Sequence, residues 1–128
     1  MNLLLDTHAL AWWLLKDSRL SQKVYGLIAD PKLAVWVSSV SAFEMATKFR
    51  IGKWSSVGVL VHEFEMAIRA EQFAFLPVNA AHALRGGLLA GKHRDPFDRL
   101  LAAQSLVEGY SLVTNDQVFK EFGVETIW

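Results

Sequence analysis

The chain has no cysteine. Disulfides, thiolate nucleophiles and cysteine-held zinc are therefore excluded at once. It has no surplus of charge of either sign, since 13 Lys and Arg balance 13 Asp and Glu. Composition thus advertises neither a nucleic acid nor an anionic membrane, because phosphate binding usually shows as excess Lys and Arg. A bound metal ion can supply positive charge that the net composition does not. Long hydrophobic runs are missing too, and none approaches the ~18 residues that span a bilayer. Met1–Leu15 is apolar, but it lacks a basic start and is interrupted by Asp6 and His8. That pattern is not a secretory signal, so a soluble cytoplasmic protein without a membrane partner is expected. Internal repeats, low-complexity tracts and a Gly-x-Ser-x-Gly elbow are also absent.

What is present is an apolar chain of one-domain size. With 52% hydrophobic residues in 128 it is too apolar for disorder and long enough for a core. A single domain over residues 1–128 is expected. Short apolar runs alternate with segments of helical period. Strands are predicted at Leu3–Leu5, Ala34–Val37, Phe73–Leu76 and Leu112–Val113, with a short edge strand in Glu125–Trp128. Helices are predicted over His8–Leu15 with Thr7 as cap, Leu20–Ala29, and Ala42–Ile51 capped by Ser39 or Ser41. Val59–Ala70, Asn79–Leu89, Pro96–Glu108 and Gln117–Phe122 complete the set. This alternation implies βαβ crossovers and a parallel sheet with helices on both faces.

Ligands in such sheets bind beyond the carboxyl ends of the strands, and acids collect there. Asp6 follows the first strand, and Asp116 follows the fourth, after Thr114 and Asn115. Glu44 lies near the start of the helix after the second strand, and Asp98 in the first turn of the helix before the fourth. Several carboxylates in one cleft repel each other unless a cation lies between them, and Mg²⁺ prefers such oxygens while keeping room for phosphate. A bound ion polarises phosphoryl oxygen and acidifies its water, the two services phosphodiester hydrolysis needs. Each acid also has a plainer explanation. Asp6 and Asp116 suit helix caps, Glu44 suits a first-turn dipole contact, and Asp95 before Pro96 suits an ordinary helix start. Asp98 would then complete a capping box.

Four stretches together resemble the motifs of PIN domains, and in particular VapC-type toxins. They are Leu3-Leu4-Leu5-Asp6-Thr7-His8-Ala9, Ser41-Ala42-Phe43-Glu44-Met45-Ala46, Arg94-Asp95-Pro96-Phe97-Asp98-Arg99-Leu100-Leu101-Ala102-Ala103-Gln104, and Leu112-Val113-Thr114-Asn115-Asp116. The resemblance implies a Rossmann-like three-layer α/β/α fold with a central, mainly parallel sheet of order 3-2-1-4-5. It implies an Mg²⁺ or Mn²⁺ site and endoribonuclease activity as the toxin of a VapBC-type toxin–antitoxin module. Asp6, Glu44, Asp98 and Asp116 fall on the family's acidic quartet. Direct metal contact is expected from Asp6 and Asp98, with Asp116 completing the cluster through water and Glu44 holding a second ion or orienting the attacking water. Thr7 and Asn115 fit polar supports, and Asp95 an outer helper.

Lys48, Arg50 and Lys53 follow Glu44, while Lys92, His93, Arg94 and Arg99 surround Asp98. Of these, Lys48, Arg94 and Arg99 are the candidates to hold an RNA backbone, against the alternative of a solvated charged surface. The four histidines show no zinc spacing, and Trp12 and Trp13 are read as core or interface. The apolar face of Trp54–Ala70 (Val57, Leu60, Val61, Phe64, Ala67, Ile68) either packs on the chain's own sheet or, as the resemblance implies, helps form a groove for an antitoxin. The resemblance also implies a homodimer. A phosphatase of the haloacid dehalogenase type is disfavoured, because His8 stands where its second Asp belongs. The remaining alternative is a non-catalytic binding module whose acids are caps and whose apolar helices dock a protein.

Overall fold

The computed structural model describes residues Met1–Trp128. Five strands, β1 (Asn2–Leu5), β2 (Ala34–Ser38), β3 (Ala74–Leu76), β4 (Ser111–Val113) and β5 (Thr126–Ile127), form one sheet in the order β3-β2-β1-β4-β5. Every pairing is parallel. The helices are α1 (Thr7–Leu14), α2 (Gln22–Ala29), α3 (Ser39–Arg50), α4 (Gly58–His62), α5 (Phe64–Ala70), α6 (Ala80–Leu88) and α7 (Pro96–Glu108). Short 3₁₀ turns cover Ser55–Val57 and Gln117–Phe122.

The central strand explains the three layers. Leu3, Leu4 and Leu5 are all fully buried, as an uninterrupted apolar run requires when both faces of a parallel sheet are covered. Side chains alternate along a strand. Leu3 and Leu5 therefore join a core with Ala9, Leu10, Val24, Ile28, Leu60 and Ile68, under α1, α2, α4 and α5. Leu4 and Leu112 turn the other way, onto Val40, Leu101, Ala102, Phe119 and Phe122. Helix α6 lies against α7 at Gly86, where a Cβ would come 3.2 Å from the Arg99 carbonyl oxygen. Gly109, at φ +71°, caps α7 in the left-handed conformation glycine tolerates.

Several boundaries differ from the predicted ones, each for a local reason. Asp6, not Thr7, caps α1 by accepting the Ala9 N–H at 2.7 Å. Ser38, not Ser39 or Ser41, caps α3 through the Val40 N–H. That earlier start moves Glu44 into the second turn, so the first-turn dipole contact does not apply to it. The predicted Val59–Ala70 helix is broken at Glu63 into α4 and α5. Its apolar stripe is largely spent on the chain's own core, since Val57, Leu60 and Ile68 are buried. Val59 and Met66 stay exposed.

A buried polar belt ties α7 to the carboxyl ends of β2 and β3. The Ser38 hydroxyl donates to Gln104 Oε1 at 2.5 Å, while the Gln104 amide faces the carbonyls of Leu76 and Pro77. Fully buried His82 lies beside it, paired with Glu108 at 2.9 Å. No buried side-chain nitrogen or oxygen lacks a partner, as a stable polar core demands.

Candidate active site

The acids converge because the sheet order makes β1 and β4 neighbours. The Asp6 N–H continues the ladder to the Val113 carbonyl at 3.0 Å, which sets its side chain beside Thr114. Asp6, Glu44, Asp98 and Asp116 all line one cavity of about 620 Å³. Thr7, Asn115, Asp95 and Lys48 line it as well.

Each acid is held by its own element. Asp6 is only 7% exposed, accepts the Ala9 amide and lies beside Thr114, whose hydroxyl holds its carboxyl pKa down. Glu44, 4% exposed, takes an ion pair from Lys48 one helical turn on, at 2.6 Å. Asp98 is the third residue of α7 and meets His93 Nε2 at 2.7 Å. Asp95 accepts the amides of Phe97 and Asp98 and is the helix cap. Exposed Asp116 caps the second 3₁₀ turn through the Val118 amide at 3.0 Å. The capping explanation thus holds geometrically for Asp6, Asp95 and Asp116, and it coexists with the shared cavity because a carboxylate has several acceptor sites. Thr7 is buried, with its hydroxyl 3.1 Å from that of Ser41.

Electrostatics single out two of these groups. Burial pushes the Asp6 carboxyl up from 3.8 to about 6, further raised by Asp98 and Glu44, against its hydrogen bonds from Thr114 and Ala9. Burial raises Asp98 to about 6 as well, with Asp95 and Glu44 adding to the rise and His93 opposing it. No Lys or Arg pairs with either. Arg19 reaches the cavity, but its guanidinium is engaged by Asp17 at 2.8 Å and lies over Trp12. Burial lowers the pKa of His8. Glu44 is thus balanced by Lys48, whereas Asp6 and Asp98 add negative charge to the cleft that no Lys or Arg neutralises.

This donor set suits a hard divalent cation, which takes carboxylate oxygens and keeps several waters. The group whose ligand atoms lie closest is His93, Asp95 and Asp98, all within 4.8 Å of one another. Asp6 and Asp116 reach the same cavity from the strand ends. His93 is the residue that sequence reasoning missed as a partner of Asp98. It sits in an irregular loop five residues ahead, where no period marks a contact.

The candidate phosphate-binding cations divide. Lys48 lines the acidic cavity. Arg94 does not; it lies exposed on a separate cavity of about 520 Å³ with Gly91, Lys92, His93 and Arg99. Arg99 donates to the carbonyls of Gly86 at 2.9 Å, His93 at 2.8 Å and Leu89. Its guanidinium fastens the loop that carries His93 to α7. Trp13 packs on Tyr25 and Phe73, whereas Trp12 lines the acidic cavity.

A sequence model of the PIN domain matches residues 3–125. No curated protein matches the chain by sequence. Among solved structures, the chain is similar to VapBC2 from Rickettsia felis, in a structure bound to a DNA fragment from their promoter. There the identity is 17% and the TM-score 0.70, covering 100% of this chain and 99% of that one. FitAcB from Neisseria gonorrhoeae is similar at 20% identity and TM-score 0.68, covering 98% and 96%. VapBC-1 from nontypeable Haemophilus influenzae is similar at 20% identity and TM-score 0.61, covering 99% and 97%. At these identities the likeness is one of fold.

Proposed function

The chain belongs to the PIN-domain family, and on that premise we propose that it is an endoribonuclease dependent on Mg²⁺ or Mn²⁺, the toxin of a VapBC-type toxin–antitoxin module. The observation that carries the reading is one cavity lined by Asp6, Glu44, Asp98 and Asp116, two of them raised to about 6 and unpaired with any Lys or Arg. Asp6 and Asp98 are the proposed direct ligands. Asp116, more exposed, contributes through water, and Asp95 and Asn115 support from the rim. A bound divalent ion supplies charge against the phosphoryl oxygens and acidifies its water. Glu44, fixed by Lys48 and buried, orients the attacking water and accepts its proton. The Lys48 ammonium, at the same wall, faces the phosphate's negative charge. Thr7 and Thr114 hold the strand ends at which these acids sit.

The partners belong to the same proposal: RNA as substrate, an antitoxin protein, and a second copy of this chain in a homodimer. The toxin–antitoxin part is supported by the motif resemblance and by the names of the VapBC and FitAcB structures the chain is similar to. No helix is long and apolar enough to cross a membrane. The caps formed by Asp6, Asp95 and Asp116 favour the alternative of a non-catalytic binding module, and one experiment separates the two. Purified chain is incubated with cellular RNA in Mg²⁺, Mn²⁺ or EDTA, beside Asp6→Asn. A hydrolytic centre gives cleavage that needs the ion and disappears in the variant. Cap-only acids give neither cleavage nor Mn²⁺ binding.

A further inference from the structure

A smaller cavity of about 290 Å³ lies next to the acidic one, lined by His8, Lys48, Lys53 and Trp54. It shares His8 and Lys48 with the acidic cavity, so the two are contiguous at those side chains. Its lining is two rings and two ammonium groups. The His8 ring stacks on Trp54 with centroids 4.6 Å apart and planes 25° from parallel. It also sits 5.7 Å from Trp12 on the wall of the acidic cavity. Rings therefore run from the small cavity to the hydrolytic centre.

The end of α3 builds this corner. The Lys53 amide closes onto the Lys48 carbonyl at 2.9 Å, and Gly52 takes φ +76°, turning the chain back so that Trp54 meets His8. Trp54 packs against the core, which fixes the indole. Lys53 is exposed and pairs with no acid. The proposed hydrolysis uses none of His8, Lys53 and Trp54.

We propose that His8, Trp54, Lys48 and Lys53 form a nucleobase subsite, where one unpaired base of an RNA strand packs on the His8–Trp54 rings and Lys53 holds the adjoining phosphate. The inference deepens the nuclease reading and rests on it. Aromatic surface with flanking cations is the chemistry that grips single strands, since every base has a π-face and every linkage a charge. The volume is near the small end of ligand pockets, room for one nucleotide and not for a helix. A base inside a duplex is stacked on its neighbours, so the strand engaged here is unpaired. Stacking strength differs among bases, so the subsite gives the enzyme a modest preference for better-stacking bases at one position beside the cut.

The test uses the full chain in two assays. In the first, Mg²⁺-dependent cleavage of a pool of short single-stranded RNAs is followed for wild type, Trp54→Ala, Trp54→Phe and Lys53→Glu, with product ends sequenced. In the second, the same substitutions in an Asp6→Asn background are titrated with a short oligoribonucleotide and with inorganic polyphosphate. Trp54→Ala is expected to weaken oligonucleotide binding about tenfold, to raise KM by a similar factor with kcat kept, and to flatten base preference at one position. Polyphosphate binding should be untouched by Trp54→Ala and weakened by Lys53→Glu, while Trp54→Phe recovers most of the oligonucleotide affinity. If Trp54→Ala does not fold, Lys53→Glu decides, and unchanged KM and polyphosphate binding in it overturn the subsite. Unchanged KM and base preference in Trp54→Ala and Lys53→Glu overturn the subsite, as does equal weakening for both ligands in Trp54→Ala. A wild type that cleaves nothing, while the Asp6→Asn chain binds RNA through Trp54, sinks the nuclease reading and keeps the subsite. Cleavage that ignores Trp54 does the reverse.

Discussion

Replacing Asp6 by Asn should make the metal-free protein more stable while abolishing cleavage. The Asp6 carboxyl is 7% exposed and titrates near 6 in the fold against 3.8 in the open chain. At ~1.36 kcal/mol per pH unit, holding it ionised at pH 7 costs roughly 3 kcal/mol. Asn removes the charge but keeps a carbonyl for the Ala9 N–H, and Asn caps helices as well as Asp does. A gain of up to about 3 kcal/mol should move the melting temperature by roughly 10 °C. The pH dependence has a definite sign. Between 3.8 and about 6 the native state binds a proton that the unfolded chain has released, so wild-type stability falls as pH rises through that window. Below it the cost vanishes, and above it the cost is constant. The advantage of Asp6→Asn should therefore be small near pH 4 and reach its plateau above pH 6. Mg²⁺ at about 1,000 times its Kd should reverse the ranking, because it adds about 4.1 kcal/mol to wild type alone. Thermal melts at several pH values, in EDTA and in Mg²⁺, measure all of this. An Asp6→Asn protein that melts below wild type at pH 7 in EDTA refutes the reasoning.

Asp98→Asn should stabilise the metal-free chain in the same direction, less than Asp6→Asn because Asp98 is the more exposed side chain and is hydrogen-bonded to His93; paired urea titrations compare them. Gln104→Ala should destabilise by about 2–3 kcal/mol, since it strips the Ser38 hydroxyl and the carbonyls of Leu76 and Pro77 of partners inside the core. An unchanged urea midpoint would contradict the belt. Leu4→Ala should cost about 2–5 kcal/mol by opening a cavity beneath α7, read from the same urea curves.

The elements that carried their own periodicity or punctuation were legible before folding was considered. Pro96–Glu108 is marked by Asp95-Pro96 at one end and Gly109 at the other, so local chemistry alone bounds α7. Leu3–Leu5 declares a strand buried on both faces, and β-α alternation declares a parallel sheet. The four acids were visible as residues placed after strands or at helix starts. Helix breaks were harder. The split at Glu63 leaves the apolar period nearly intact, because α4 and α5 bury the same stripe against the same core.

What the chain order could not decide is which distant groups meet. Sequence alone determined where the strands, the carboxylates and the ends of α7 stand, since each follows from a few adjacent residues, whereas the cap of α3 proved to be Ser38. Only the tertiary structure brought His93 to Asp98, set Asp6 against Thr114 through the β1–β4 pairing, spent Arg99 on three backbone carbonyls, and stacked His8 on Trp54. Those contacts join loops and strand ends, where no repeat links one position to its partner. They come from closing the sheet, whose driving force is burial of its apolar faces and not attraction among the polar groups it assembles.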